Sequence, residues 1–192
     1  MGVIEQAGCA GKNDIRVFFA IWPDDATREL LRPVANSLQN DFRCAGRRIK
    51  AEDIHLTLVF VGNVDNRGLE TLYNAADGIG KGDTRPFELA IQQIGYWKHS
   101  RIAYIAPREI PSALEELVSL LRQAIESAGF SLEQRAYRPH ITLIRDAACR
   151  ALPGSMEPVI WRVREWLLVK SEQTREGAVY SPVGRWMLGT PE

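Results

Sequence analysis

Two short segments of the chain carry the residue types that acid-base chemistry needs. His55-Leu-Thr-Leu58 and His140-Ile-Thr-Leu143 share one pattern, and together they hold two of the three histidines. An unperturbed imidazole titrates near pH 6.5, so a pair can contain one neutral and one protonated ring at physiological pH. The neutral ring can take a proton from water, and the protonated ring can give one to a leaving oxygen. The spacing therefore indicates a paired acid and base.

Each motif also places a hydroxyl beside its histidine. Residues two apart on a strand face the same side, so Thr57 is expected beside His55 and Thr142 beside His140. Hydroxyl donors around a phosphoryl group suit phosphodiester hydrolysis. A single strand His or Thr is usually structural, and the repetition of the pattern is what favours catalysis. The residues predicted to be buried behind the motifs are Ile54, Leu56, Leu58, Phe60, Ile141 and Leu143.

The elements that must position these motifs can be predicted from apolar periodicity. Strands are predicted at 16–21, 54–61, 87–97, 101–106, 138–144, 159–170 and 178–188. Helices are predicted from Pro23 to about residue 39, at 67–79, and from Pro111 to Gly129. The first helix carries an apolar stripe of Leu30, Leu31, Val34 and Leu38. Residues 41–50 are basic and are expected to form a loop.

The chain also contains a weak internal repeat. An offset of 85 residues aligns His55 with His140 and Phe19 with Tyr104. We therefore expect an α+β fold of two lobes related by a pseudo-twofold axis, each an antiparallel sheet with helices on its outer face, around a central cleft. Residues 15–192 are expected to form one bilobal domain. Residues 1–14, rich in Gly, are expected to be a disordered leader.

The charge balance limits how the protein could attract a partner. The 24 basic and 24 acidic residues cancel, so no overall field draws the chain toward nucleic acid. An anion site must then be local, although each basic residue taken alone is better explained as part of a solvated face. The candidates beside the two motifs are Arg43, Arg47, Arg48, Lys50, Arg135, Arg138 and Arg145.

Other site classes are not supported. There is no Gly-rich phosphate loop, HExxH helix or GxSxG elbow, and no acidic or Cys partner stands at ligand spacing from the histidines, so no metal or cofactor is expected. Cys9, Cys44 and Cys149 have neither metal-ligand spacing nor the even count of a disulfide framework, which fits a reducing cytoplasm best. No apolar run approaches the roughly 20 residues that span a bilayer, so no membrane partner is expected.

With these residues in view, the sequence resembles bacterial and archaeal RNA 2′,3′-cyclic phosphodiesterases, also called 2′-5′ RNA ligases, of the two-histidine phosphoesterase superfamily. The similar segments are residues 16–23, 53–62, 137–145, 177–180 and Trp186. The chain departs from the family at Val59, where a basic residue is common, and near Ile49, where an aromatic is common.

The resemblance implies a role for each site residue. His55 would be the general acid and His140 the general base. The substrate-binding residues would be Thr57 and Thr142 at the phosphate, Arg145 at the terminal nucleotide, and Phe19 and Arg138. For Arg145 the alternative is a surface salt bridge with Asp146 or another carboxylate.

The function expected from this resemblance is hydrolysis of RNA 2′,3′-cyclic phosphate ends to 2′-phosphates, and the residues themselves predict that no metal is needed. A monomer is the default expectation. Joining of tRNA halves through a 2′-5′ bond would be the reverse side reaction. Two alternatives stay open. The same chemistry could act on a small cyclic nucleotide, a cyclic ADP-ribose phosphate or a 2′-5′ oligoadenylate, or the cleft could belong to a noncatalytic RNA or nucleotide-binding module.

Overall fold

The computed structural model describes residues 15–79, 81–174 and 177–189, so the predicted leader at 1–14 lies outside the described residues. The strands are β1 (Ile15–Ile21), β2 (Ala45–Arg48), β3 (Leu56–Val64), β4 (Phe87–Trp97), β5 (Ile102–Pro107), β6 (Ile141–Ala148), β7 (Ser155–Val163), β8 (Glu165–Thr174) and β9 (Gly177–Met187). The helices are α1 (Asp25–Asn40), α2 (Asn66–Asp77) and α3 (Ser112–Ser127). None of these helices is long and apolar enough to cross a membrane.

The helices begin and end at the residues that their caps favour. The Asp24 carboxylate accepts a hydrogen bond from the backbone N–H of Thr27 at 2.8 Å, which satisfies a free donor of the first turn of α1. Helix α3 follows Pro111, and the chain leaves it through Gly129, whose φ of +93° lies in the region that favours glycine. The prediction for Leu30 was wrong: its side chain is 55% exposed, because each helical step rotates about 100° away from the buried Leu31.

The described strands form one antiparallel sheet whose two halves have the same strand arrangement and are related by a pseudo-twofold axis. Its order is β7-β4-β5-β6-β3-β1-β8-β9, with β2 paired to β6. Reading outward from the centre, β3-β1-β8-β9 forms one lobe and β6-β5-β4-β7 forms the other. Strand β7 lies at the edge of one lobe and β8 lies in the other, and only Arg164 stands between them in the chain. The two lobes are therefore also adjacent at Arg164. The expected α+β fold with two pseudo-symmetric lobes is confirmed.

Three local predictions need correction. Residues 41–50 contain β2, and the predicted strand at 159–170 is two strands, β7 and β8, broken at Arg164. Cys44 and Cys149 form a disulfide, which the odd cysteine count did not indicate. The cause is tertiary: β2 pairs with β6 so that Ala45 lies opposite Ala148, and the two cysteines flank this pair.

The core is shared by the two lobes. One apolar cluster includes Leu31 and Leu38 of α1, Leu121 of α3, and Leu56 and Ile141 of the two central strands. A second, smaller cluster contains Phe18, Ala20, Leu167 and Val169, with Trp22 and Tyr180 packed against it. Because the large cluster contains residues of both central strands, it fixes the position of one lobe against the other. The small cluster supports the site described next.

Candidate active site

Both histidine motifs lie where the two lobes join. His55 immediately precedes β3, and His140 immediately precedes β6. The two strands are antiparallel and pair at Leu56 and Ile141, the residues that follow the histidines. These two positions are equivalent in the repeat, so the pseudo-twofold axis passes between them. The structure therefore brings the two predicted histidines together. The positive charge of Arg145 lowers the pKa of both rings.

The threonines occupy the predicted strand positions. Leu56 and Ile141 are fully buried, whereas Thr57 and Thr142 are part-exposed, as alternation along a strand requires. The alternation fails further along β3. Its pairing with β1 jumps from Thr57 to Val59 between neighbouring β1 residues, which leaves Leu58 as an extra residue. Val59 is consequently buried, and Phe60, predicted to be buried, is 43% exposed.

Each histidine is held by the backbone carbonyl two residues before it. His55 Nδ1 lies 2.7 Å from the oxygen of Asp53, and His140 Nδ1 lies 2.8 Å from the oxygen of Arg138. A carbonyl oxygen only accepts hydrogen bonds, so Nδ1 carries the proton and donates in both rings. The Nε2 atom of each neutral ring is then the basic nitrogen available to a substrate. The two rings are therefore prepared in the same tautomer.

Three aromatic rings surround His55. Trp22 stacks on the imidazole at 4.6 Å between ring centroids, Phe18 lies at 5.1 Å, and Tyr180 makes an edge contact at 4.9 Å. The Trp22 indole N–H donates to the backbone oxygen of Glu52 at 2.9 Å, which fixes the stacked ring. Sequence reasoning gave no role to these aromatics. Trp22 lies one residue beyond β1, whereas Phe18 and Tyr180 lie within β1 and β9, so their approach to His55 depends on the order of strands in the sheet.

Two aromatic rings contact His140, and the remaining side of this residue is open. Trp97 lies at 4.5 Å and Tyr104 at 5.8 Å between ring centroids. Gly95 gives Tyr104 its place, because a Cβ at this position would overlap the tyrosine ring. A cavity of about 510 Å³ adjoins His140 and is lined also by these rings and by Arg138. The two histidines therefore differ in how far they are enclosed.

This difference appears in the protonation of the rings. The pKa of His55 is lowered to about 4, chiefly by burial; the charges of Arg145 and His140 act in the same direction, and the hydrogen bond to the Asp53 carbonyl acts against them. Burial also lowers the pKa of His140, with contributions from Arg135 and Arg145. Both rings are consequently neutral at pH 7 in the free protein. An anion bound between them would favour protonation of one ring.

Tyr137 links the segment before His140 to the opposite lobe. Its hydroxyl donates to the backbone oxygen of Thr57 at 3.2 Å. Burial raises the pKa of this phenol, so it remains a donor at any physiological pH. Tyr137 lies in one of the segments that resemble the family, but the sequence alone predicted no role for it. The bond spans 80 residues of chain and fixes the loop that carries His140 against β3.

The two arginines predicted to bind substrate line different cavities. Arg138 supplies its carbonyl to His140, and its exposed side chain lines the 510 Å³ cavity. Arg145 is half-buried opposite Arg47 of β2, and both line a smaller cavity of about 70 Å³ beside Tyr180. Within the described part of the chain, Arg145 forms no ion pair with Asp146 or any other carboxylate. Its guanidinium is therefore available to an anion.

The structure does not place Phe19 at the site. This residue is 0% exposed and packs against Trp166 and Trp186 in the core, at 5.7 and 6.2 Å between ring centroids. Its neighbour Phe18 faces His55 instead. Along β1 successive side chains face opposite sides, so an assignment one residue away selects the wrong face. The assignment of Phe19 to substrate binding was wrong.

Comparison with known proteins agrees with this architecture. A family model described as LigT like Phosphoesterase matches residues 21–104 and again residues 105–180. Each match contains one histidine motif. A curated RNA 2′,3′-cyclic phosphodiesterase from Escherichia coli (strain K12) is 31% identical over 175 residues, which cover 90% of this chain and 96% of that protein.

Solved structures show the same fold. A crystal structure of a phosphoesterase has a TM-score of 0.83 at 30% identity and covers 92% of this chain and 99% of its own. E. coli LigT complexed with 3′-AMP has a TM-score of 0.81 at 30% identity, with the same coverage of 92% and 99%. Two pseudo-symmetric lobes with a motif histidine from each at their junction define a phosphoesterase of the two-histidine class. The chain belongs to the LigT like phosphoesterase family. The prediction of a phosphoester-cleaving enzyme is thereby confirmed.

Proposed function

We propose that this enzyme hydrolyses RNA 2′,3′-cyclic phosphate ends to 2′-phosphate ends. The observation that carries the proposal is the equivalent presentation of His55 and His140. Both rings donate from Nδ1 to the carbonyl two residues earlier, and both leave Nε2 for the substrate. A threonine hydroxyl stands two residues beyond each ring. The curated E. coli relative is named RNA 2′,3′-cyclic phosphodiesterase.

The geometry supports a direct attack by water. His140 Nε2 accepts a proton from a water molecule as its oxygen attacks phosphorus, and the bond from phosphorus to the 3′ oxygen breaks. Protonated His55 gives its Nε2 proton to that oxygen, leaving a 2′-phosphate and a 3′-hydroxyl. The hydroxyls of Thr57 and Thr142 donate to the nonbridging oxygens as charge moves onto them.

The unequal surroundings of the two rings support this division of roles. Water reaches His140 through the open cavity, whereas Trp22, Phe18 and Tyr180 cover His55. Burial disfavours the charged imidazolium, so His55 is a strong acid once it is protonated and gives its proton readily to the leaving oxygen. The low pKa of His55 makes the bound phosphate essential, since the anion must raise that pKa before the acid can be charged.

The RNA strand is placed by the basic side of the site. Arg47, Lys50 and Arg145 line the small cavity next to Tyr180, on the same side as His55. Their positive charges suit the phosphates of an RNA end, and Arg145 can stack on its terminal base. The departing 3′ oxygen belongs to the ribose of this terminal nucleotide. The ribose therefore lies on the same side of the phosphate as His55, which protonates that oxygen.

The proposal extends to reaction conditions and context. The two histidines can carry out both proton transfers, so the proposed reaction needs no metal-bound hydroxide. Reversal of the reaction would join RNA ends such as tRNA halves through a 2′-5′ bond. The enzyme would act as a monomer, and the disulfide between Cys44 and Cys149 removes the cysteine argument for a reducing cytoplasm.

The experiment that tests the proposal is incubation with an RNA that ends in a 2′,3′-cyclic phosphate. The product should carry a 2′-phosphate, and His55→Ala and His140→Ala should each lose about 10²–10⁴-fold in turnover while remaining folded. A substrate with a more acidic leaving alcohol should partly rescue His55→Ala only, because such an alcohol needs no proton but water still needs a base. Rescue of His140→Ala instead, or a 3′-phosphate product, would refute the assignment.

A further inference from the structure

The disulfide between Cys44 and Cys149 joins two segments that are far apart in the chain. The two cysteines are separated by 105 residues. Cys44 immediately precedes β2, and Cys149 immediately follows β6. The bridge therefore ties the start of β2 to the end of β6, where Ala45 lies opposite Ala148.

The β6 side of this bridge is anchored independently of it. The Tyr96 hydroxyl donates to the backbone oxygen of Ala147 at 2.7 Å, and the Ala147 N–H donates to the backbone oxygen of Arg101 at 2.8 Å. Both partners belong to the hairpin of β4 and β5. Ala147 itself is fully buried, so the end of β6 keeps its place whether or not the bridge is formed.

The β2 side has few other attachments. All four residues of β2 are exposed, and β6 is its only partner among the described strands. Its hydrogen bonds with Asn36 and Gln39 of α1 lie at the surface, where water competes for the same groups. A segment with little buried apolar surface opens locally at a low cost in free energy. The bridge is therefore a principal attachment of β2.

Strand β2 carries one of the cations on the RNA side of the site. Arg47 lies opposite Arg145, and both line the small cavity beside Tyr180. The Arg47 guanidinium lies against β9, since a Cβ on Gly177 would stand 3.2 Å from its Nη1. Arg145 belongs to β6 and does not depend on the bridge. Opening of β2 therefore removes Arg47 from this cavity and leaves Arg145 in place.

Two hydrogen bonds stop this opening before it reaches the histidine. The Ile49 N–H donates to the backbone oxygen of Leu143 at 2.9 Å. The Trp22 indole donates to the backbone oxygen of Glu52 at 2.9 Å. Both bonds fix the chain between β2 and His55. The bridge can therefore change RNA binding without changing the acid-base pair.

Cys149 is the residue through which the bridge can be reduced. Its side chain is part-exposed, whereas Cys44 is 1% exposed. An external thiolate attacks Cys149 Sγ, the bond between the two protein sulfurs breaks, and Cys44 Sγ takes the electron pair and a proton. A second external thiol attacks the external sulfur of this mixed disulfide and releases Cys149 as a thiol. Two external thiols thereby become one external disulfide, and the protein gains two electrons and two protons.

We propose that this disulfide is a redox-controlled clamp that sets how tightly the enzyme holds an RNA chain, an inference that rests on the proposed function. In the oxidised protein the clamp keeps Arg47 beside Arg145, where it contacts a phosphate that precedes the terminal nucleotide. A low-molecular-weight thiol opens the clamp and releases β2. Affinity for an RNA chain then falls, while the chemistry at the terminal nucleotide is preserved.

Two substrates of different length separate the clamp from the chemistry. They are 2′,3′-cyclic AMP, which has no preceding phosphate, and an RNA pentanucleotide that ends in a 2′,3′-cyclic phosphate. The same pentanucleotide with a 2′-phosphate end measures binding without turnover. Protein treated with oxidised glutathione is compared with protein treated with dithiothreitol, and alkylation with iodoacetamide in denaturant reports the free thiols. The variants are Cys149→Ser, Arg47→Ala and, as the matched control, Cys9→Ser.

Reduction should raise the KM for the cyclic pentanucleotide and the Kd for its 2′-phosphate form by about three- to tenfold at unchanged kcat, as expected when one charged hydrogen bond is weakened or lost. The KM for 2′,3′-cyclic AMP should change by less than about twofold. Cys149→Ser should resemble the reduced protein under both conditions, and Cys9→Ser should resemble the unsubstituted protein. Arg47→Ala should bind the pentanucleotide weakly and no longer respond to dithiothreitol.

The clamp would be overturned if Cys44 and Cys149 both remained open to alkylation after oxidation. A dithiothreitol response that persists in Cys149→Ser, or an equal effect on both cyclic substrates, would also overturn it. An unchanged Kd for the pentanucleotide in reduced protein of lower Tm would show that the bridge only stabilises the fold. Failure of the oxidised protein to open either cyclic phosphate would instead overturn the proposed function, and the Kd of the 2′-phosphate pentanucleotide would still test the clamp.

Discussion

The contact between Trp22 and His55 allows a direct test of how the site controls protonation. Burial is the largest cause that lowers the pKa of His55 from 6.5 to about 4, the charges of Arg145 and His140 add to it, and three aromatic rings provide contacts that bury the imidazole. If the three rings shared the whole lowering equally, replacing Trp22 with Ala would raise this pKa by about 0.8, equivalent to about 1 kcal/mol; because the two charges carry part of the lowering, we expect a rise of up to this size. Loss of the stacked indole also admits water to the ring, which acts in the same direction.

The assay is NMR titration of the histidine ring protons, with the His55 signal assigned by its loss in His55→Ala. Trp97→Ala is the matched control, because Trp97 contacts His140 and not His55. In this control the titration of His55 should be almost unchanged. A wild-type His55 that titrates near 6.5, or a Trp22→Ala variant that still titrates near 4, would refute the role of burial.

The same variant should change how stability depends on pH. The folded pKa of His55 is below its unfolded value, so the unfolded chain binds this proton more readily. Stability from this group is full above about pH 6.5 and is lost as the pH falls toward 4, by at most about 3 kcal/mol. Trp22→Ala should lose less over this interval in urea unfolding. A loss as large as that of the wild type would contradict the argument.

Three further outcomes are expected. The pH profile of kcat/KM should be bell-shaped with its optimum below pH 6.5, because both His55 and His140 have lowered pKa values and the active form carries one proton between them; an optimum above about pH 7 would contradict this. Turnover should survive dialysis against EDTA, and a loss that a divalent ion restores would refute the metal-free mechanism. Tyr137→Phe should lower the free energy of unfolding by about 1 kcal/mol in urea titrations, since it removes the donor to the Thr57 carbonyl, and unchanged unfolding would show that this bond is not stabilising.

The motifs and their supporting strands could be predicted because their signals are local. Alternation between buried and exposed positions identifies the inward faces of β3 and β6, and the repeated His and Thr positions indicate that the strands meet. The cap at Asp24 and the exit at Gly129 likewise depend on neighbouring residues only. Because these signals depend only on neighbouring residues, the two lobes could be predicted correctly from the sequence.

The aromatic rings at the histidines could not be predicted in the same way. Tyr180 reaches His55 from the last strand, and Trp97 reaches His140 from the end of β4. Contacts of this kind depend on how distant strands are ordered in the sheet, and the repeat carries no information about them. The pairing of Cys44 with Cys149 has the same origin, since it depends on the register of β2 against β6.

The error at Phe19 shows why a repeat found in the motifs does not transfer unchanged to the strands beside them. The motifs are offset by 85 residues, but Ala20 lies opposite Thr57 while Tyr104 lies opposite Thr142, so β1 and β5 are offset by 84. The difference of one residue reverses the face of every side chain on the strand. Phe19 consequently belongs in the core, and Phe18 supports His55. An offset for each strand must therefore be taken from its own pairing, and with the offset of 84 the equivalent of Trp22 beside His55 is Ala106 beside the open cavity.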